Sequence, residues 1–136
     1  LASTGEKKSV KDIFAPNIHF IHLLLKAFSK FSRMILVTGA TGFLGSELVR
    51  QLYAQGKRVR ALKRESSVIP DTLKSIPQIE WFDSDLLDYF SLEKAFSGIS
   101  HVYHCAASIS FQPSARKEMI RVNEEGTCCM LAQWLH

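Results

Sequence analysis

A chain of 136 residues with 46% hydrophobic and 22% charged side chains has the makeup of one globular unit, not of a disordered or fibrous protein. No apolar run is long enough to span a membrane. The three cysteines, Cys105, Cys128 and Cys129, neither pair evenly nor show metal-ligand spacing, so reduced thiols, no metal and a cytoplasmic location are expected. The net charge of +4 lies wholly in residues 1–33, which hold six basic and two acidic side chains, against eleven of each in residues 34–136. A nucleic-acid-binding face is therefore not expected.

Residues 1–33 read as a leader unlike the rest. Ile18, Ile21, Leu24, Leu25 and Phe28 recur at helical spacing, with Pro16 suited to a helix start and Lys26, Lys30 and Arg33 to its end, so an amphipathic helix is expected over 17–31. Three roles fit it: a helix packed on the domain, a basic surface anchor or targeting segment, or upstream sequence that is not native. The third is favoured, because Met34 stands directly before the first strand. His19 and His22 have no neighbours that would complete a metal site.

From Met34 the pattern changes. Residues 34–37 are apolar throughout, as a strand buried on both faces of a parallel sheet requires. Thr38-Gly39-Ala40-Thr41-Gly42-Phe43-Leu44-Gly45 follows. Gly39 lets the chain turn sharply, Gly42 leaves room for a pyrophosphate at the backbone, and Gly45 sits where the next helix presses on the sheet. The first free N–H groups of that helix, around Phe43 and Leu44, would face the phosphates, and the helix dipole favours the anion. Leu44, Leu48 and Leu52 repeat every four residues with Val49 and Tyr53 beside them, while Glu47, Arg50 and Gln51 fall on the opposite side. Gly56 suits the helix stop. Three glycines alone are a weak signal; placed between a strand and a helix they fit a dinucleotide-binding turn, against the alternative of an ordinary βα turn.

The remaining elements alternate. A second strand is expected over 58–63, then a loop with Pro70 and Pro77 carrying a short helix over 71–75, and a third strand over 79–82. Asp88 or Ser91 can cap a helix with Leu92, Ala95 and Phe96 inward, ending at Gly98. A fourth strand is expected over 101–105 and one long helix from 114, its buried stripe running through Met119, Val122, Gly126, Cys129 or Met130, and Gln133 or Trp134. Gly126 costs helix stability and implies a close neighbour. Such alternation makes an α/β fold, a partial doubly wound Rossmann sheet of parallel strands in the order 3-2-1-4, with the ligand between the first and fourth strands.

The end of the second strand separates the cofactors. A carboxylate there would hold the ribose 2′-hydroxyl of NAD; Lys63 and Arg64 stand there instead. A guanidinium binds a 2′-phosphate through two parallel bonds, so NADP is expected over NAD, with Arg64 as the main contact. The plainer alternative is a solvated basic loop, and Glu65 beside Arg64 tempers the preference.

These residues resemble the extended short-chain dehydrogenase/reductase family over 34–136. The likeness rests on the glycine turn, the Asp85-Leu86 pair, the His104-Cys105-Ala106-Ala107 run and the V-N-x-x-G-T segment at 122–127. The basic second strand looks like the dihydroflavonol-reductase-like and 3β-hydroxysteroid-dehydrogenase-like branch. The resemblance implies that Asp85 and Leu86 contact the adenine, that Cys105, Ala106 and Ala107 line the cofactor, and that Asn123 supports the active-site hydrogen bonds. Each of these residues also has a plain structural alternative, a turn cap for Asp85 and a helix contact for Asn123. Ser108, Ser110 and Phe111 would begin the substrate side.

The family's chemistry is hydride transfer helped by a tyrosine with a lysine four residues on, on the helix after the fifth strand. The chain stops inside the preceding helix, truncated before that strand. The pair Tyr53 and Lys57 has the spacing but the wrong place in the motif order, and is expected to be core and loop. The chain is therefore expected to be the cofactor-binding, amino-terminal half of an oxidoreductase acting on a carbonyl or secondary alcohol, inactive by itself. A small-molecule substrate would bind only in the full-length protein, and the oligomeric state is not legible. The rivals are a nucleotide-sugar epimerase or dehydratase using NAD, and a non-catalytic nucleotide-binding regulator.

Overall fold

The computed structural model describes residues 33–135; the helix expected over 17–31 lies outside them. Four strands and four helices alternate: β1 (Met34–Thr38), α1 (Phe43–Ala54), β2 (Arg58–Lys63), α2 (Asp71–Lys74), β3 (Glu80–Asp83), α3 (Tyr89–Phe96), β4 (Ile99–His104) and α4 (Arg116–Leu135), with a 3-10 turn at Pro113–Ala115 before the last. The sheet is parallel throughout, in the order β3-β2-β1-β4. This is the expected fold class and strand order.

Alternation along β1 explains why the sheet is covered twice. Ile35 and Val37 point into a cluster with Val49 and Leu52 of α1 and Leu73 of α2. Leu36 points the other way, onto Leu62 of β2 and Leu92 and Ala95 of α3, with Cys129 of α4 packed beside them. All five residues of β1 are buried, as a central strand between two helical layers must be.

Several boundaries differ from the expected ones. β3 starts at Glu80 because pairing with β2 begins at Arg60 opposite Glu80; Ile79 is buried in the core ahead of the ladder. β4 runs from Ile99 to His104, since Ile99 already pairs with Met34. Cys105 falls just past the strand and is half-buried, although its N–H still reaches the Thr38 carbonyl at 3.3 Å. On α1 the buried stripe is Gly45, Val49 and Leu52, and Leu44 is exposed. Gly45 has to face the sheet because it presses on the preceding turn, and that rotates Leu44 outward. Glu47, Arg50 and Gln51 lie on the open side, hydrogen-bonded to one another.

The loops close with local chemistry. Asp88 caps α3, its Oδ1 accepting from the N–H groups of Phe90 and Ser91 at 3.1 and 3.3 Å. The other end of α3 is held from β2. The half-buried Arg60 donates to the carbonyls of Ala95 and Ser97 at 2.6 and 2.9 Å and to Glu80 at 2.7 Å, and its guanidinium lies over the Phe82 ring. Carbonyls at a helix C-terminus are orphan acceptors that a cation satisfies well. On α4, Gly126, Met130 and Gln133 are buried, and a Cβ on Gly126 would lie 3.0 Å from Leu86. Leu86 is the close neighbour that Gly126 implied. β4 is an edge strand, paired among the described residues with β1 alone, and such an edge is a site for further pairing.

Candidate cofactor cleft

A cleft of about 450 Å³ opens at the carboxyl ends of the strands. It sits where the chain leaves β1 and β4 in opposite directions, the usual ligand position in an open parallel sheet. Thr38, Gly39, Thr41 and Gly42 form its floor, Cys105 to Ile109 one wall, and Leu62 to Arg64 with Ser67 and Ser84 to Leu86 the far end.

The floor is shaped by backbone. Gly39 has φ +64°, and a Cβ there would lie 2.6 Å from the Ala106 nitrogen; no other residue type fits. A Cβ on Gly45 would lie 2.1 Å from the Gly39 carbonyl oxygen, so Gly45 lets α1 begin directly against the turn. Gly42 is exposed and is the N-cap of α1, offering no side-chain acceptor. The Ser46 N–H bonds back to Gly42, which leaves the N–H groups of Phe43, Leu44 and Gly45 without intrahelical partners. No acidic side chain occupies this first turn. Bare amides at the positive end of a helix dipole, beside a glycine with no side chain, fit a pyrophosphate.

Of the residues expected to hold a cofactor, Gly39, Thr41, Gly42, Lys63, Arg64, Asp85, Leu86, Cys105, Ala106 and Ala107 all line this cleft. Phe43, Leu44 and Gly45 do not. The side chains of Phe43 and Leu44 stand 98% and 67% exposed, so these two can serve only through backbone N–H groups, and Gly45 is buried against the turn.

At the far end the two cations differ. Lys63 is paired with Asp83 on the neighbouring strand at 2.5 Å. Arg64 is exposed and forms no ion pair among the described residues. Asp85 accepts from the Leu87 N–H through Oδ1 at 2.9 Å, the turn-capping role, and its Oδ2 makes no hydrogen bond among the described residues.

The remaining wall is held by side chains. Asn123 of α4 bonds the backbone of Ser108 twice, accepting from its N–H at 2.8 Å and donating to its carbonyl at 2.9 Å. It stands behind the wall, outside the cleft lining. Thr38 on β1 accepts from the Ala106 N–H at 3.3 Å. Burial raises the Cys105 thiol above its ordinary 9.0, so it lines the cleft as a neutral group. Thr38, Ser67, Ser84, Glu118 and Val122 also line it without having been read as site residues. Thr38 opens the motif itself, but the others reach the cleft only through the fold. Tyr53 and Lys57 lie at the end of α1 and just past it, away from the lining. Ser108 and Ile109 line the cleft, while Ser110 and the strongly exposed Phe111 lie outside the lining. Among the described residues no cluster could hold a metal and no helix is long and apolar enough to cross a membrane.

The sequence matches the family model described as the NAD dependent epimerase/dehydratase family over residues 35–135. It is 40% identical over 98 residues to sterol demethylase protein B of Methylococcus capsulatus, covering 72% of this chain and 29% of that protein. It is 44% identical over 96 residues to a Synechocystis protein provisionally named dihydroflavonol 4-reductase, covering 71% and 27%. Among solved structures, a short-chain dehydrogenase/reductase superfamily protein of Agrobacterium tumefaciens with bound NAD superposes with a TM-score of 0.62 at 35% identity, over 74% of this chain and 28% of that one. The chain thus spans under a third of the length of these relatives.

Proposed function

This chain belongs to the NAD dependent epimerase/dehydratase family, and we propose that it is the dinucleotide-binding half of an NADP-dependent oxidoreductase that, in a longer protein, interconverts a carbonyl and a secondary alcohol. The observation that carries the NADP preference is the end of β2, where Arg64 stands exposed at the cleft and no carboxylate occupies the position that would hold a ribose 2′-hydroxyl.

The parts divide the work as follows. The amides of Phe43, Leu44 and Gly45 and the bare backbone of Gly42 take the pyrophosphate. Asp85 accepts from the adenine amine through its second oxygen, with Leu86 against the ring. Arg64 pairs with the 2′-phosphate. Ala106 and Ala107 leave room along the wall for the ribose and nicotinamide, and Asn123 keeps that wall in place through Ser108. The bound nicotinamide supplies the hydride. No tyrosine among the described residues reaches the cleft, so the 136-residue chain is expected to bind cofactor without turnover.

A second reading, an NAD-using nucleotide-sugar epimerase or dehydratase, is favoured by the Lys63–Asp83 pair, which gives one of the two cations a carboxylate partner. One titration separates the two. With the 136-residue chain, Arg64→Ala should weaken NADPH about tenfold to a hundredfold, as loss of a charge-assisted pair does, and leave NADH unchanged. Equal effects on both would support the NAD reading.

A further inference from the structure

We propose that His104 is a positioning residue of the cofactor cleft: a neutral imidazole, protonated on Nε2, that latches the glycine turn to α4 and so sets the distance between the cleft's floor and its wall. This rests on the dinucleotide reading above.

The direction of every proton in the latch follows from one carbonyl. Thr127 Oγ1 lies 2.6 Å from the Asn123 carbonyl oxygen. A carbonyl can only accept, so the Thr127 hydroxyl donates there, one helical turn back. His104 Nε2 lies 3.0 Å from the same Thr127 Oγ1. With the hydroxyl proton committed, that oxygen is the acceptor, and Nε2 carries the hydrogen. The other ring nitrogen, Nδ1, is then an acceptor, and Thr38 Oγ1 at 2.7 Å donates to it. The lone pairs of Thr38 are thereby turned toward Ala106, whose N–H they accept at 3.3 Å.

The chain of bonds joins the two sides of the cleft. Thr38 directly precedes Gly39, whose backbone packs on Ala106. Thr127 sits one turn from Asn123, which fixes Ser108. Residues 104 to 108 are therefore tied at both ends, to β1 and to α4, through an imidazole outside the cleft lining.

Charging the ring would undo this. An Nδ1–H would donate to Thr38, and the Thr38 hydroxyl proton, fully buried, would lose its acceptor. An unmet buried donor is costly. The groups facing His104 from β1 and α4 are Thr38 and Thr127, neither of which titrates. Its ionisable neighbours along the chain are Tyr103 and Cys105 on its own side and Glu124 and Cys128 flanking Thr127 on α4, while Asp85 and Glu118 line the cleft beyond. Burial alone moves its pKa, downward from 6.5, which favours the neutral ring. Cofactor affinity that depends on the neutral ring is full above that value and falls as the pH drops and the ring charges.

Two measurements on the 136-residue chain test this. The first is the long-range 1H–15N spectrum of the imidazoles at pH 7.5. A single Nε2–H form is expected for His104; an Nδ1–H form or an averaged mixture overturns the latch, with no cofactor needed. Thr127→Val, which removes the acceptor, should turn that single form into a mixture, and an unchanged spectrum would count against the latch. The second is calorimetric titration of NAD+, which lacks the self-titrating 2′-phosphate, between pH 5 and 8. Affinity should fall toward pH 5 in the natural chain and stay level in His104→Gln, which keeps a donor to Thr127. A level natural profile, or a fall that persists in His104→Gln, overturns the positioning role. No binding of either NAD+ or NADP+ at any pH overturns the dinucleotide reading instead, while the spectrum still decides the tautomer.

Discussion

The floor of the cleft and its β4 wall are made by different means. The floor, from Thr38 to Gly45, is backbone against backbone: a left-handed glycine, a second glycine pressed on a carbonyl, and a helix begun without a side-chain cap. The wall, from Cys105 to Ile109, is irregular chain held by the side chains of Thr38 and Asn123. Backbone packing tolerates no added atom, whereas a hydrogen-bonded wall can be loosened by degrees. The floor should therefore fail abruptly on mutation and the wall in proportion to the bonds removed.

The largest expected effect breaks the floor. Gly45→Ala places a methyl carbon 2.1 Å from the Gly39 carbonyl oxygen. The steric cost should exceed the helix-propensity gain of about 1 kcal/mol and leave a net loss of about 3 kcal/mol, with cofactor binding lost as well. Thermal or urea unfolding with a nucleotide titration would show it; a protein as stable as the natural one would mean that the turn can move.

The wall should yield less. Asn123→Leu leaves the Ser108 N–H and carbonyl without their partner, for about 2 kcal/mol of stability. Cofactor affinity should drop without vanishing, because the phosphate-binding amides are untouched. Loss of all binding at preserved stability would move Asn123 from support to direct contact. The smallest effect belongs to neither side. Asp88→Ala removes the α3 cap at about 1 kcal/mol and should leave nucleotide affinity unchanged, so a change in affinity would show that α3 reports to the cleft.

Residues read from local pattern and those that needed the fold fall along the same division. Gly39, Gly42 and Gly45 are legible because turn geometry demands a residue type, and the strand order follows from the alternation of elements. The phases of α1 and α4 were only partly so: Leu44 has the right spacing for the core, yet the contact of Gly45 with the turn rotates it outward. The sequence singles out Arg64 over Lys63 as the main contact but gives Lys63 no partner. The sheet supplies that partner by bringing Asp83 opposite Lys63. Arg60, whose reach to the end of α3 spans 35 and 37 residues, carries no local signal at all.

By itself the sequence determined the strand–turn–helix opening, the parallel alternation, the neutral balance of residues 34–136 and the chemistry available at the end of the second strand. These depend on periodicity and on backbone conformations that few residues can adopt. Tertiary structure alone decided that Lys63 meets Asp83, which apolar residues of α1 are buried, and which hydroxyls flank the His104 ring. Those depend on partners brought together across the fold, Thr38 lying 66 residues from His104 and Thr127 lying 23, and no local spacing encodes such a meeting.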